Sequence, residues 1–210
     1  MKTIAPPPHV VLAGRHVVLE PVTDDNIAEI AGALATPETF AGGWGGGPAG
    51  TLTDPDAFTP WVCGYLPWQR GGHSYLVRLA DGDQAGRCVG TTSIADFEPD
   101  KQSCHIGWTA YHHSVWGTAV NPECKLLLLG HLFDHGWGRV KLQADAVNAR
   151  SRAAISKLGA TFEGIARRDQ RRADGSWRDA AIFSVVVDDW PRVRAGLEAR
   201  LLDDRGVEAG

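Results

Sequence analysis

Runs of apolar and polar residues along the chain predict seven strands, with helical spacing of apolar residues between them. The predicted strands span residues 16–22, 73–80, 87–97, 103–112, 139–147, 160–169 and 177–187. The predicted helices span residues 23–34, 121–135, 148–158 and 188–201, with a short helix broken by Pro60 and Pro67 before the second strand. Thr23 is the expected N-cap of the first helix.

The connections between these elements predict how the sheet is assembled. The strands at 73–80, 87–97 and 103–112 are joined by short turn-like links, which favours an antiparallel meander. An Asp-Gly pair at 174–175 predicts a hairpin between the last two strands. The strand–helix–strand passage through residues 103–147 is the expected parallel crossover. The sequence therefore predicts an α+β fold with a mixed, mostly antiparallel central sheet of six to seven strands flanked by helices.

The composition is that of an ordinary globular domain. The chain has 210 residues, 43% of them hydrophobic, and a formal net charge of −4. No global basic field indicates nucleic acid as a partner, and no apolar run reaches the roughly 18–20 residues of a membrane span. The N-terminus lacks the apolar region of a signal peptide, so we expect a cytoplasmic protein. We expect a single domain at 15–202, a flexible lead-in at 1–14 and a frayed tail at 203–210.

Cysteines and histidines show no metal-binding spacing. The four cysteines are Cys63, Cys88, Cys104 and Cys124, and no two form a Cys-x-x-Cys pair. We expect reduced, mostly buried thiols, although a catalytic thiol at Cys104 or Cys124 stays open. The eight histidines have no zinc-like spacing, so we expect no metal.

The segment from Trp116 to Pro122 joins a strand directly to a leucine-rich helix. Asn121 is a natural N-cap, and Pro122 suits the first helical position. Small residues at 117–119 allow the backbone to approach an anion closely. Because a helix start presents unpaired N–H groups, this junction predicts a phosphate or pyrophosphate site. An ordinary strand-to-helix turn is the alternative.

Several linked motifs between Ile106 and Trp190 resemble the GCN5-related N-acetyltransferase (GNAT) superfamily, in its RimJ/RimL-like branch. Residues 114–119 fit the family's pyrophosphate loop, Gln/Arg-x-x-Gly-x-Gly/Ala, except that Ser114 replaces the Gln or Arg. Residues 117–133 and 147–164 resemble the two signatures of the branch, and residues 171–191 resemble its closing hairpin.

The resemblance implies an enzyme that transfers acetyl from acetyl-CoA to a primary amine, on a small molecule or a protein N-terminus. The amine would attack the thioester directly, through a tetrahedral intermediate. Succinyl-CoA is an alternative donor. A GNAT-fold module that binds acyl-CoA or a peptide without turnover is the alternative to an enzyme. The family also implies a V-shaped splay of two strands at the CoA site, and it leaves a homodimer open.

The resemblance also implies where CoA binds. The strand before the loop would pair with the pantetheine arm, and the loop N–H groups would hold the pyrophosphate. Asn148 matches a pantetheine-contacting position, but it can equally cap the helix that follows. Arg150 and Arg152 are candidates for a phosphate contact or for a solvated helix face. The implied CoA-binding positions are Trp108, Thr109, Ala110, Trp116, Gly117, Thr118, Ala119, Val120, Asn121, Asn148 and Arg152.

Acyl transfer to an amine requires a proton acceptor and a donor for the leaving thiolate. His105 occupies the place where many family members have a Glu base. The position of the usual Tyr acid holds Ile155. By analogy with RimL-like enzymes, Ser151 is a candidate donor and Glu163 a candidate acceptor. The alternative for His105 is a buried sheet histidine without a catalytic role. The alternatives for Ser151 and Glu163 are a helix-end hydrogen bond and a surface pair.

The acceptor side is expected to be partly apolar, with Trp44, Trp61, Tyr65 and Arg167 as the candidate substrate-binding residues. Residues 41–50 form either a flexible surface loop or a lid that carries Trp44. Arginines at 167, 168, 171 and 172 are either a solvated turn or a clamp for an acidic acyl group or acceptor.

Overall fold

A computed structural model describes residues 4–203 and contains an open sheet with helices on both faces. The strands are β1 Leu12–Ala13, β2 Val17–Pro21, β3 His73–Leu79, β4 Cys88–Glu98, β5 Ser103–Tyr111, β6 Arg139–Asp145, β7 Thr161–Arg171 and β8 Trp177–Val186. The helices are α1 Glu29–Leu34, α2 Pro37–Ala41, α3 Pro55–Tyr65, α4 Val120–Asp134, α5 Ala149–Lys157 and α6 Trp190–Asp203. In the part of the chain that the structure describes, no helix combines the length and apolar character needed to cross a membrane.

The sheet order is β1-β2-β3-β4-β5-β6-β8-β7. Only β5 and β6 run parallel, and every other neighbouring pair is antiparallel. The predicted meander, crossover and closing hairpin are therefore confirmed. The described sheet has eight strands rather than six to seven, because Leu12–Ala13 adds a short strand within the expected lead-in. Residues 1–3 and 204–210 lie outside the described residues, so the predicted domain limits stay predictions.

Two helix starts differ from the prediction. Helix α1 begins at Glu29, because the Asn26 side chain accepts a hydrogen bond from the Thr23 N–H (2.8 Å) and holds a turn there. Helix α4 begins at Val120, with Asn121 and Pro122 inside its first turn. Ala119 occupies the N-cap position without a side-chain cap, and the Thr118 hydroxyl accepts a hydrogen bond from the Val120 N–H (3.4 Å).

The buried Glu123 side chain ties α4 to the start of the sheet. Its carboxylate accepts hydrogen bonds from the N–H groups of Arg15 (2.9 Å), His16 (2.6 Å) and Val17 (2.7 Å). A Cβ at Gly14 would lie 2.5 Å from this carboxyl group, so the β1–β2 turn needs glycine at that position. The contact therefore fixes the first turn of α4 against residues 15–17 at the start of β2, although the two segments lie far apart in sequence.

Strands β5 and β6 pair only at their beginnings. The register joins Ser103–His105 to Arg139–Lys141 and ends there. Just beyond, the pairing of β5 with β4 shifts between Gly107 and Ala110, and Trp108 takes a left-handed φ of +49°. A bulge of this kind bends the strand and re-aims its side chains. The predicted V-shaped splay is therefore present, and it opens a gap through the sheet.

Candidate active site

A cavity of about 550 Å³ occupies the gap between β5 and β6. Its walls include Ile106–Tyr111 from β5 and Leu142–Asp145 from β6. Helices α4 and α5 line one end, through residues such as Asn121 and Ser151. Trp44 and Tyr65, which pack with the hydrophobic cluster of α1 and α3, also line the cavity. The cavity therefore joins the two faces, and two molecules that enter from opposite sides can meet inside it.

The loop before α4 has the features of an anion site. Gly117 has a φ of +82°, and a Cβ there would meet no atom within 4 Å, so the loop surface is open. Among the described residues, no hydrogen bond from the N–H groups of Gly117 or Ala119 is present. Together with the start of α4, these groups provide donors and partial positive charge. Trp116, Gly117 and Asn121 line the cavity, whereas Thr118, Ala119 and Val120 do not.

Arg150, rather than Arg152, lies beside this loop. The Arg150 guanidinium stacks 3.6 Å from the centre of the Trp116 ring and lines the cavity. Arg152 instead donates to the Ala146 carbonyl (3.1 Å) and lies near Phe162, outside the cavity. Two residues separated by one position lie about 200° apart on a helix, so only one of the two arginines can face the loop. Arg150 is thus the arginine that lies beside the loop, and the predicted CoA contact of Arg152 stays a prediction.

Asn148 caps α5 and also anchors a distant segment. Its side-chain oxygen accepts from the Ser151 N–H (3.0 Å), and its amide donates to the Gly42 carbonyl. The helix-capping interpretation is therefore confirmed, and Asn148 also lines the cavity. Ser151 lies in the first turn of α5 at the cavity wall. Its expected role as a proton donor stays a prediction.

His105 projects from β5 into the cavity and is 5% exposed. Its Nδ1 lies 3.2 Å from a carboxylate oxygen of Asp96, whereas its Nε2 is buried and has no partner among the described residues. A Cβ at Gly107 would lie 2.6 Å from the imidazole, so the glycine leaves room for the ring. Burial lowers the pKa of His105, and the hydrogen bond to Asp96 partly opposes that shift. The pair therefore presents a neutral imidazole with a free nitrogen lone pair.

Lys125 is not singled out by the sequence, yet it lines the cavity from α4. It is 4% exposed, and its ammonium donates to the Thr109 hydroxyl (3.1 Å) and the Thr92 hydroxyl (3.4 Å). Burial lowers its pKa to about 8. In the sequence, Lys125 is a single lysine inside an apolar stretch. A lysine in that setting is typical of an exposed helix position, so the sequence alone does not indicate its burial.

Aromatic residues form part of the cavity wall. Trp44 contacts Tyr65 edge to face (5.1 Å between ring centres), and Tyr65 stacks on Trp61 (4.8 Å). Trp44 and Tyr65 line the cavity, whereas Trp61 lies behind them. The segment at 42–50 is held by Asn148 at Gly42 and by the Ala173 N–H, which donates to the Gly46 carbonyl (3.1 Å). It therefore forms a wall with defined contacts, and whether it opens as a lid stays a prediction.

Two other candidates lie away from the cavity. Glu163 is exposed on β7, where it accepts from the Ser184 hydroxyl (2.7 Å) and pairs with Arg139. These contacts direct its carboxylate away from the cavity wall, so the structure does not bring it to His105. Arg167 is likewise absent from the wall.

The other arginines of the hairpin already have partners. Arg172 makes a two-pronged pair with the buried carboxylate of Asp145, at 2.8–3.2 Å. Arg168 and Arg171 lie 4.5 and 4.6 Å from the Trp177 ring centre. These three side chains are engaged within the hairpin and its base, which does not favour a clamp for an acidic acyl group. Arg178, which the sequence does not single out, lines the cavity instead.

The two cysteines considered as nucleophiles are buried thiols. Burial raises the pKa of both Cys104 and Cys124 to about 12. A thiol reacts as its thiolate, and so high a pKa leaves almost none at neutral pH. The expectation of buried structural thiols therefore fits both positions.

Comparison with known proteins identifies the family. Residues 16–161 match the family model described as an acetyltransferase (GNAT) domain. None of the curated proteins compared with the chain matches it. A structure from T. thermophilus, assigned as an acetyltransferase, is 31% identical, covers 91% of this chain and 96% of its own, and has a TM-score of 0.78.

Two further structures share the fold at lower identity. A GCN5-related N-acetyltransferase from Brucella melitensis is 23% identical, with a TM-score of 0.82 over 95% of this chain and 89% of its own. Mycobacterium smegmatis RimJ in complex with CoA-disulfide is 21% identical, with a TM-score of 0.69 over 93% of each chain. The family model covers more than half of the sequence, and these neighbours reproduce its architecture. The chain therefore belongs to the GNAT family of acetyltransferases, enzymes that use acetyl-CoA.

Proposed function

We propose that the protein transfers an acetyl group from acetyl-CoA to a primary amine, with His105 as the proton acceptor. The observation that carries the proposal is the cavity that crosses the sheet. It joins the start of α4, whose unpaired N–H groups suit an anion, to the buried Nε2 of His105, which has no partner among the described residues. A donor and an acceptor can thus enter from opposite faces and meet beside His105.

The donor side fits the parts of CoA. Unpaired backbone N–H groups and the start of α4 suit a pyrophosphate, and Arg150 adds a positive charge beside them. Beyond His105, no strand within residues 4–203 pairs with β5 along the cavity side. Its free backbone groups at Trp108, Thr109 and Ala110 suit the amides of a pantetheine arm. Asn148 and Ser151 stand along the same wall.

The acceptor side fits a neutral amine. An ammonium has no lone pair, so the amine must be deprotonated before or during attack. A neutral imidazole with a free Nε2 accepts that proton, while Asp96 orients the ring through Nδ1. The wall of Trp44 and Tyr65 favours an amine with apolar surface, on a small molecule or at a protein N-terminus. Acetyl is the acyl group that the family favours. Arg168, Arg171 and Arg172 are engaged in other contacts, whereas Arg178 lines the cavity and is the arginine that would meet a succinyl carboxylate.

A screen of amine acceptors tests this proposal. Free thiol released from acetyl-CoA and from succinyl-CoA would be measured against small amines and N-terminal peptides. We expect acetyl-CoA to support amine-dependent release with at least one acceptor class. Tight CoA binding without release for any acceptor would instead favour the module that binds acyl-CoA without turnover.

Exchange of Arg150 for alanine should weaken donor binding. We expect the KM for acetyl-CoA to rise about tenfold, since a charge-assisted contact contributes roughly 1.5–3 kcal/mol. The kcat should change little, because Arg150 stacks on Trp116 of the loop and makes no hydrogen bond to His105 among the described residues. Arg152→Ala is the matched control, and its KM should stay at the wild-type value. Equal effects of the two substitutions would contradict this assignment.

The pH dependence should report the environment of His105. Because burial lowers its pKa, the imidazole stays neutral, and active, below its ordinary pKa of about 6.5. After correction for the free-amine fraction, kcat/KM should fall only as the pH drops through that lowered value. Asp96→Asn removes the carboxylate that raises the pKa, so the fall should move to still lower pH. A shift of the profile to higher pH in this variant would refute the role of Asp96.

A further inference from the structure

Lys125 is a buried cation that the proposed chemistry does not yet use. Burial is unfavourable for an ammonium unless a counter-charge or good acceptors stabilise it. Two threonine hydroxyls accept from it, but no carboxylate within residues 4–203 acts on its charge. The third N–H has no recorded partner among the described residues, and the side chain lines the cavity. The ammonium can therefore stabilise negative charge that develops on a substrate in the cavity.

Lys125 and His105 approach the cavity from opposite faces of the sheet. Cys104 and Ile106 face the core beneath α4, so the alternation of β5 turns His105 to the other face. Lys125 comes from α4 itself and contacts Thr109, which lies just beyond the bulge. The lysine is close enough that its charge lowers the pKa of His105. The two groups therefore lie on either side of the gap between β5 and β6. A thioester bound in that gap can contact both of them.

We propose that Lys125 is a catalytic residue that gives a proton to the thiolate leaving the acyl donor. This assignment rests on the proposed function. As the amine nitrogen bonds to the carbonyl carbon, His105 takes the proton from nitrogen. The carbon–sulphur bond then breaks, and its electron pair goes to sulphur. One Lys125 N–H bond breaks, and the proton forms the S–H bond of free CoA. Solvent later removes the proton from His105 and restores the one lost by Lys125.

The acidity of Lys125 suits this step. Its pKa of about 8 is close to that of a thiol, about 8.5. Proton transfer is most efficient when the donor is matched to the working pH. The ionisable groups in electrostatic reach are Cys124 on α4 and His105 on β5. Because burial raises the pKa of Cys124 to about 12, it does not titrate in the same range as Lys125.

The first arm of the test compares Lys125→Met, Lys125→Arg and Thr92→Val with the wild type. Lys125→Met should keep acetyl-CoA affinity within about threefold and lose roughly 10²-fold in kcat, the lower range for acid–base catalysis. The wild-type kcat should fall above about pH 8 as Lys125 loses its proton, and Lys125→Met should lack that fall. Lys125→Arg keeps the charge, but an arginine does not release its proton, so kcat should not recover. Thr92→Val removes one of the two acceptors of the ammonium, which disfavours the charged form, so the alkaline fall of kcat should move to lower pH.

Several results of this arm would overturn the proposal. Wild-type turnover in Lys125→Met would show that the lysine has no chemical role. Loss of acetyl-CoA binding in that variant would show that the lysine serves binding or folding instead. A large kcat loss in Ser151→Ala, with none in Lys125→Met, would assign the proton donor to Ser151.

The second arm uses the unaltered protein, so it does not depend on how the variants fold. The thiol of bound CoA would be titrated through the ultraviolet absorbance of its thiolate. We expect it to ionise at lower pH than the thiol of free CoA, since the ammonium of Lys125 stabilises the thiolate. Ionisation at the same or higher pH would overturn the proposal. If no amine is acetylated at all, the proposed function fails, but this titration still decides whether Lys125 faces the sulphur.

Discussion

Replacement of His105 by glutamine should reduce kcat/KM for amine acetylation by about 10²- to 10⁴-fold, the range for loss of a general base. Glutamine is close in size and still hydrogen-bonds, but it cannot take a proton near neutral pH. The acetyl-CoA affinity should stay within about threefold, because the proposed donor contacts come from the loop, α4, α5 and the backbone of β5, and none uses the His105 side chain. Stopped-flow thiol release and calorimetric titration with acetyl-CoA measure the two quantities separately.

His135→Gln is the matched control for this substitution. His135 lies exposed directly after the last residue of α4, where its Nδ1 contacts only the carbonyl of His131 (2.7 Å). It lies outside the cavity wall, so we expect wild-type rates. Wild-type kcat/KM in His105→Gln would remove His105 from the mechanism. The amine would then lose its proton to solvent before it binds.

Replacement of Glu123 by alanine should lower the free energy of unfolding by about 3–5 kcal/mol. The change leaves three backbone donors, at Arg15, His16 and Val17, without their acceptor. An unsatisfied buried donor costs roughly 1–3 kcal/mol, and water that enters the space recovers part of the loss. Denaturant unfolding followed by circular dichroism would measure the difference. Glu123→Gln keeps one acceptor oxygen and should lose less.

The control for Glu123 is an exposed acid on another helix. Glu198 pairs with Arg194 at i,i+4 spacing on the surface of α6, and such pairs contribute little to stability. Glu198→Ala should therefore unfold at the wild-type denaturant midpoint. An equal loss of stability in the two variants would contradict the anchoring role of Glu123.

Much of the fold follows from local signals in the sequence. The meander, the hairpin and the crossover depend on strand alternation and turn residues, which act over a few positions. The sequence pattern places the start of α4 two residues late, because Asn121 and Pro122 suit a helix start but lie inside the first turn of the helix. The same pattern does not reveal the strand in the lead-in, because Leu12–Ala13 is only two residues long and pairs only with β2.

The candidate site is predictable where motifs are local, and less so where contacts are long-range. The loop around Gly117 and the cap at Asn148 follow from short patterns. The pairing of His105 with Asp96 depends on the register of β4 against β5, and the burial of Lys125 depends on how α4 lies over the bulge. Which of Arg150 and Arg152 faces the loop depends on how α5 is rotated about its axis, which short sequence patterns do not give. The homodimer that the family leaves open, the absence of a metal and the cytoplasmic location are not tested by the structure.

The central claim is direct acetyl transfer from acetyl-CoA to an amine within the cavity. The most direct measurement mixes the protein with acetyl-CoA, with and without the best acceptor from the screen, and follows free CoA and acetylated amine together by mass spectrometry. The account predicts one acetylated amine for each CoA released, and no acetylated protein when the amine is absent. CoA release that does not depend on the amine, or an acetylated protein that precedes the product, would contradict it.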